Sequence, residues 1–440
     1  MSNWQKVTLD KLCFFEKGKT GLAKAIPGDY PLVTTSAERK TNDSYQFDTK
    51  AVCIPLVSST GHGHASLNYV HYQEGKFALG TILVALIPKD ETILNAQFLH
   101  LYLSRLKDII LVPLMSGAAN VSLSISKIKT VEIPLPPIDE QLKIVELFKN
   151  LVNENNELVE EINTQSSLLK QLKQTILQEA IEGKLTEKRR VKNPDIGTAK
   201  ELLEQIKTEK EKLIKEKKLK ASKPLAPINE DEIPFDIPSS WEWCRFGNIV
   251  EHNAGKTLDR GRNKGLAQKY ITTSNLYWGY FILDDLKEML IDESELSKCT
   301  VQKGDLLVCE GGEAGRSAVW ENDETICIQN HIHRVRPYQN INTYYLYYYL
   351  MKIFLTGEID NYRNGMGIKN LSGKSLSTII IPIAPKEEQK EIVATIEKFF
   401  AICNELESEI NQNKTTVENL MATVLKEAFE TKENIHEYKA

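Results

Sequence analysis

The residues with the clearest capacity for chemistry lie in loops rich in glycine and small polar side chains, and that chemistry is hydrogen bonding to planar polar edges. Ser58-Ser59-Thr60-Gly61-His62-Gly63-His64 follows a strand-like run, and Glu310-Gly311-Gly312-Glu313-Ala314-Gly315-Arg316 occupies the corresponding place later in the chain. Backbone this free of side chains can approach a duplex closely. The groups it carries suit base edges, since arginine fits guanine, amides fit adenine and a carboxylate accepts from cytosine. Arg316 can read guanine or hold a phosphate and Glu313 can accept from cytosine, with structural ion pairing as the alternative. His62 and His64 raise the question of a metal, but no third ligand stands at a suitable spacing, and a plain turn competes with both readings.

The same side-chain types recur at Thr34, Thr35 and Ser36 with Arg39 and Lys40, and at Thr272, Thr273 and Ser274 with Arg260, Arg262 and Lys264. Gln329-Asn330-His331 and Tyr362-Arg363-Asn364-Gly365 add amides and a guanidinium, and Ser116-Gly117-Ala118-Ala119-Asn120 is the first half's counterpart of the latter. Gly18-Lys19-Thr20 and Gly255-Lys256-Thr257 also stand at equivalent places. A P-loop needs glycine five residues earlier, where Cys13 and Val250 stand, so both strings read as turns with a phosphate-facing lysine, Lys19 and Lys256. The sequence holds no Asn-Pro-Pro-aromatic loop of an amino-methyltransferase and no carboxylate cluster ending in Glu-x-Lys. No catalytic residue, metal or cofactor is expected. The run Tyr344-Tyr345-Leu346-Tyr347-Tyr348-Tyr349 invites base stacking, but at helical spacing it reads as core.

These loops need a scaffold, and comparing the chain with itself supplies one. Pro134 to Glu182 aligns without a gap on Pro382 to Glu430 at an offset of 248, with 18 of 49 pairs identical, among them Pro137/Pro385, Glu140-Gln141/Glu388-Gln389 and Glu161-Ile162-Asn163/Glu409-Ile410-Asn411. Upstream, Trp4 pairs with Trp241, Phe98 to Leu103 with Tyr345 to Leu350, and Gly117 with Gly365. Each variable half reads as short strands between Gly, Pro and polar turns, interrupted by one helix near Asn95 to Lys107 or Thr343 to Phe354.

The segment after each half is helical. Val145, Phe148, Val152, Val159, Ile162, Leu169 and Ile176 recur at three- and four-residue spacing, and the copy carries Val393, Ile396, Phe400, Cys403, Ile410, Val417, Met421 and Val424. Prolines just before each run, with Asp139-Glu140 and Glu387-Glu388 in the first turn, mark the N-termini. A helix of about 45 residues runs roughly 67 Å at 1.5 Å per residue, and its stripe wants a partner. The two repeats are natural partners for each other, antiparallel, with the duplicated domains at opposite ends. The expected organisation is therefore α+β: two repeated domains, 1–137 and 234–385, separated by long antiparallel coiled-coil helices, 138–183 and 386–440, in pseudo-twofold fashion. A basic linker, 184–233, holds a third helix near Thr198 to Glu216.

Composition bounds the rest. The 440 residues are 41% apolar and 26% charged, enough for two or three globular domains. The seven cysteines stand singly, without C-x-x-C spacing, and read as reduced thiols. A net charge of −5 argues mildly against nucleic acid, yet Lys184 to Lys223 holds fourteen basic against seven acidic residues, and local charge is the better guide. No apolar run spans a bilayer and the N-terminus lacks a signal pattern, so a cytoplasmic protein without a membrane partner is expected.

The order domain, long helix, basic linker, domain, long helix resembles the specificity subunit of type I restriction-modification systems. Ile133-Pro134-Leu135-Pro136-Pro137 running into Glu140-Gln141, and Ile381-Pro382-Ile383-Ala384-Pro385 running into Glu388-Gln389, resemble the hinge ending each of that family's target-recognition domains. Gln178 to Leu185, Pro234-Phe235 and Trp241-Glu242-Trp243 resemble its spacer and second-domain entry. The resemblance implies a non-catalytic subunit that binds double-stranded DNA together with two modification subunits, which methylate adenine at N6. It also implies restriction subunits, ATP-dependent translocases and endonucleases, as further partners. The competing reading is a coiled-coil scaffold whose end domains bind proteins.

Overall fold

The computed structural model describes residues 4–429 apart from 61–62, 194–196, 222, 260, 262, 366 and 368, and for 421–429 it describes the backbone alone. Four of the candidate residues, Gly61, His62, Arg260 and Arg262, therefore lie outside the described residues, as does the end of the second expected helix, 430–440. Contacts divide the chain into two compact units, Met1–Asn163 with Gln412–Ala440, and Thr164–Asn411.

Each half is framed by a two-stranded ribbon that joins its first strand to its last. Gln5–Thr8 pairs antiparallel with Glu132–Leu135, and Glu242–Arg245 with Ile380–Ile383. Between them the first half forms an antiparallel sheet in the order Cys13–Lys17, Leu83–Pro88, Ala51–Pro55, His71–Gln73, and the second repeats that order with Val250–Ala254, Ile332–Pro337, Leu306–Cys309, Ser317–Val319. The central strands Ala51–Pro55 and Leu306–Cys309 are buried on both faces, which explains their unbroken apolar runs. A second sheet in each half holds one parallel pair, Leu32 beside Ala78 and Tyr270 beside Cys327. The duplication read in the sequence is thus a duplication of topology. The helices Ala96–Ile110 and Thr343–Leu355 cover the sheets, each capped by an asparagine, Asn95 or Asn342.

The tyrosines of the second of these helices are core, as their spacing predicts: Tyr345, Tyr347, Tyr348 and Tyr349 are buried, and the Tyr345 hydroxyl donates to Pro382 O at 2.7 Å. All seven cysteines are buried and unbridged.

The repeated Glu-Gln pairs dock the long helices, Ile138–Ile181 and Lys386–Phe429, onto these domains. Gln141 accepts from Asn95 N at 2.8 Å and donates to Pro136 O and Ile93 O, while Gln389 accepts from Asn342 N at 3.0 Å and donates to Ala384 O. Buried amides satisfied on both sides fix the direction in which each helix leaves its domain. Glu140 and Glu388 accept from Trp4 Nε1 and Trp241 Nε1 at 3.0 and 2.9 Å. The apolar stripe is buried at Val145, Ile162, Leu169, Ile176, Val393, Ile396, Cys403 and Val417, whereas Val159 is exposed.

Within Thr164–Asn411 the two long helices run antiparallel. Lys173 pairs with Glu407 at 2.7 Å and Arg190, just past the first helix, pairs with Glu388, so the numbers fall on one side as they rise on the other. Leu169, Ile176 and Cys403 form the apolar seam there. The third helix, Ala199–Lys215, begins where expected, with Thr198 and Glu201 forming a capping box.

Candidate nucleic-acid interface

In the first half the structure brings two of the sequence-flagged loops together. Ser58 N donates to Val121 O at 3.0 Å, and Ser116 and Ser122 form a bridge, so the segment 58–66 lies against 116–122. The loop 58–66 is tied by its own hydroxyls: Ser58 Oγ donates to His64 O at 2.6 Å, Thr60 Oγ1 meets Ser66 Oγ at 2.9 Å, and Ser59 Oγ accepts from Asn68 N at 2.9 Å. Ser59, Thr60, Gly63, His64 and Asn120 are all exposed on this pair of loops. Gly63 at φ +86° supplies a left-handed turn that other residues adopt reluctantly.

The second half pairs its loops the same way with different chemistry. Leu371 N donates to Glu310 O at 2.8 Å, and Asn364 and Asn370 form the bridge equivalent to that of Ser116 and Ser122. Arg363 joins the loops: Nε donates to Ala314 O at 2.9 Å, Nη2 to the same oxygen, and Nη1 to Asp360 at 2.8 Å, with the guanidinium over Phe354. Arg316 donates to Glu313 at 2.9 Å and to Thr273 O at 2.6 Å and lies over the Tyr277 ring. That ties the 310–316 loop to 272–274, where Thr272 Oγ1 meets Ser274 Oγ at 2.7 Å. Glu313, Ser274 and Asn364 remain exposed, while Thr272 and Thr273 are half-buried.

Arg39 has the same habit. Its Nε donates to Gln73 Oε1 at 2.9 Å, Nη2 to Tyr72 O at 3.1 Å, and Nη1 meets His71 Nδ1 at 3.2 Å. Burial, reinforced by the Arg39 charge, holds the His71 imidazole down at about 4, so it is neutral and Nδ1 accepts. The three arginines are engaged with protein acceptors as loop braces. Thr34 is buried and accepts from Ser36 N, whereas Thr35 is half-buried and Ser36 exposed.

The glycines of the two Gly-Lys-Thr strings exist for close packing. A Cβ on Gly18 would lie 2.1 Å from Gly80 O, and one on Gly255 2.1 Å from Ile328 O. Lys19 is exposed, while Lys256 is half-buried and paired with Glu295 at 2.5 Å. Asn330 N donates to Lys256 O and Gln329 N to Ile271 O, which gathers Lys256, Gln329 and Asn330 beside the 272–274 turn. Among the described residues no group of three or more His, Cys, Asp or Glu side chains is placed to hold a metal ion. No described helix is long and apolar enough to cross a membrane.

Sequence reasoning misses the hairpin Leu276–Tyr277/Tyr280–Phe281 beside this cluster, where Tyr277 and Tyr280 stack at 5.1 Å and Arg316 lies over the Tyr277 ring. The two-residue Trp278-Gly279 turn between aromatic residues, with Gly279 at φ +79°, is the available signal. It also misses Gln73 and His71, which are distant in sequence from the arginine they hold.

A model described as the type I restriction modification DNA specificity domain matches residues 1–165 and 238–414, both halves of the duplication. The type I restriction enzyme EcoAI specificity subunit of Escherichia coli is 28% identical over 295 residues, 65% of this chain and 49% of that protein. The EcoDI specificity subunit of the same species is 24% identical over 439 residues, 97% of this chain and 88% of that one. The alignments to EcoAI and to the EcoEI specificity subunit span 49% and 42% of those relatives, about half their length. Among solved structures, a chain from work on complex assembly and conformational transition of the type I R-M system superposes with a TM-score of 0.64 at 16% identity, covering 97% of each chain. The HsdS subunit from Thermoanaerobacter tengcongensis gives a TM-score of 0.57 at 16% identity over 97% of this chain and 96% of that one. At that identity the likeness concerns the fold.

Proposed function

The chain belongs to the type I restriction modification DNA specificity family, and we propose that it is the non-catalytic DNA-reading subunit of a type I restriction-modification complex. Residues 1–137 and 234–385 act as separate target-recognition modules, each reading one part of an asymmetric, two-part target. The long helices within segments 138–183 and 386–440, Ile138–Ile181 and Lys386–Phe429, set the unread spacer, and modification subunits that methylate adenine at N6 assemble with the chain in the cytoplasm. Restriction subunits that cleave DNA with ATP join the same complex.

One observation carries this reading: two scaffolds of the same topology present the same pair of loops with different donors and acceptors. The first offers hydroxyls, His64 and Asn120; the second offers Glu313, Asn364 and amides from Gln329 and Asn330. Duplicated frames with divergent edges suit two unlike half-sites. Lys19 serves phosphate, which positions without specifying, while Lys256 is held by Glu295. Ser36, Ser59, Thr60, His64, Asn120, Ser274, Glu313, Gln329, Asn330 and Asn364 are the groups that reach DNA, while Arg39, Arg316 and Arg363 hold the loops in shape. Gly61, His62, Arg260 and Arg262 complete the same loops in the sequence.

Exchanging residues 1–137 for those of a relative, and mapping N6-methyladenine in cells that also carry the cognate modification subunit, tests the assignment. One half-site changes if the modules read independently. A change in both half-sites contradicts it.

A further inference from the structure

The second half carries a pair of thiols that its recognition loops leave unused. Cys299 ends the helix Glu293–Cys299, and Cys327 is the middle residue of the strand Ile326–Ile328. The strand after the helix, Thr300–Val301, pairs antiparallel with that strand, and Thr300 and Cys327 are direct partners. Partners in such a ladder have Cα atoms about 4.5–5.5 Å apart and disulfides form across about 4.4–6.8 Å, so the residue beside Thr300 is within bonding reach of Cys327. The two thiols share a hydrogen bond, Thr300 Oγ1 stands 4.0 Å from Cys327 Sγ, and both sulfurs belong to one small apolar cluster with Tyr270, Met289 and Ile291. That cluster lies at a sheet edge, since Thr300–Val301 is the outermost strand. Its cover is the seven-residue helix, whose anchors are Leu296, Cys299 itself, the Glu295 pair with Lys256, and Ser297 O, which accepts from Arg334 at 2.9 Å. Local opening of so short a segment costs less than global unfolding and admits a molecule as small as peroxide. The first half differs at both places. Its parallel pair Val33 and Leu79 matches Ile271 and Ile328, and its edge pair Phe47 and Phe77 matches Val301 and Ile326, so Tyr45 and Ala78 stand for Cys299 and Cys327.

We propose that Cys299 and Cys327 are a reversible oxidation site for hydroperoxides, closing to a disulfide that acts on the second reader alone. The two sulfurs have different roles. Hydrogen bonding from Cys299 holds the Cys327 thiol below the ordinary cysteine value and keeps the proton on Cys299, whereas burial pushes Cys13, Cys53 and Cys309 up to about 12, 12 and 11. The Cys327 thiolate attacks one peroxide oxygen, the O–O bond breaks, and the hydroxide that leaves takes up the proton lost by Cys327 as the first water. The Cys299 sulfur then attacks the sulfenic acid so formed. An S–S bond replaces the S–O bond, and the departing hydroxide takes the Cys299 proton as the second water, so two electrons pass from two thiols to one peroxide. The new bond draws helix and strand together. Ile326–Ile328 is held between two neighbouring strands, so the helix moves, and with it Glu295, which pairs with Lys256. Lys256 O accepts from Asn330 N, and Gln329 follows Ile328 directly. Oxidation therefore disturbs the cluster of Lys256, Gln329 and Asn330, a consequence that rests on this domain reading DNA.

Treating the full-length chain with hydrogen peroxide at neutral pH, alkylating the remaining thiols after unfolding and reading the peptides by mass spectrometry tests the site. A Cys299–Cys327 disulfide that forms about tenfold faster than any other cysteine oxidises, and that dithiothreitol reverses, supports it. Similar rates at all seven cysteines, a bond joining two copies of the chain, or no bond at all overturns it. Cys299→Ser should leave a sulfenic acid on Cys327 that dimedone traps, and Cys327→Ser should leave Cys299 unoxidised; the reverse pattern overturns the assigned roles. The wild-type chain assembled with its modification subunit then reports on DNA. Oxidation should weaken binding through the second half-site several-fold, reduction should restore it, and the first half-site should be unaffected. No change, or equal loss at both half-sites, overturns the action on one reader. A reduced complex that binds no target while the Cys299–Cys327 bond still forms counts against the DNA reading and leaves the oxidation site standing.

Discussion

Arg363→Ala separates a loop brace from a base reader. The guanidinium makes two donations to Ala314 O and one to Asp360 and packs over Phe354, with its side chain 12% exposed. A charge-assisted hydrogen bond is worth about 1.5–3 kcal/mol and the aromatic contact about 0.5–1 kcal/mol more, so removing the side chain releases the 310–316 loop at a cost of about 2–4 kcal/mol. Spread through the local geometry, that loss lowers occupancy of the competent loop conformation by roughly 30- to 1,000-fold if the loop has no other support, at 1.4 kcal/mol per decade. Arg316 supplies some support through Thr273 O and Glu313, so the lower end is expected. The assay is equilibrium binding of the assembled modification complex to its target and to targets altered in one half-site. The account predicts a weakening of about 30-fold through the second half-site, uniform across its base pairs, with discrimination at the first half-site unchanged. Relaxed preference at one G·C pair, with the other positions still discriminated, would refute the brace and make Arg363 a base reader.

Acid should weaken the fold through His71. Its pKa lies near 4 in the folded chain against 6.5 for the free side chain, so the unfolded state takes up the proton first. Its stabilising contribution is complete above pH 6.5 and lost as pH falls toward 4, on the order of 3 kcal/mol. Urea midpoints measured across that range should flatten in His71→Gln, and an unaltered slope would count against the assignment. Glu388→Ala strands the Trp241 N–H and the Arg190 charge inside the second half and should cost about 3–5 kcal/mol, whereas Glu140→Ala, at an exposed copy, should cost about 1 kcal/mol or less. Comparable midpoint shifts for the two would contradict the inequality of the copies. Gly255→Ala forces a methyl to 2.1 Å from Ile328 O and should lower the melting temperature by several degrees, which calorimetry reads directly.

Much of the architecture is legible in the sequence because its signals are periodic or duplicated. The stripe from Val145 to Ile176 and the 248-residue offset give the helices and their pairing, and the prolines and acidic first turns give their starts. Val159 keeps the spacing yet is exposed, since a period marks a stripe and not which members meet a partner. The Glu-Gln pairs are visible as a motif. Their roles are not, because Gln141 works through backbone carbonyls and amides that have no sequence signature. The candidate site reads as a set of loops, and the loops do meet in pairs, 58–66 with 116–122 and 310–316 with 363–371. Residue type alone does not show how Arg39, Arg316 and Arg363 are engaged. Their acceptors, Tyr72 O, Thr273 O and Ala314 O, become neighbours only when the sheets form.

The central claim, two unlike readers on one duplicated frame, meets its most direct test in a genome. The chain should be expressed with its cognate modification subunit in a host lacking adenine methylation, and N6-methyladenine mapped at single-base resolution. The account predicts one asymmetric motif of two specified parts around an unspecified spacer, with the spacer lengthened by a helical turn inserted between 139 and 182 and both parts retained. A palindromic motif, a contiguous one, or methylation without sequence preference would contradict it.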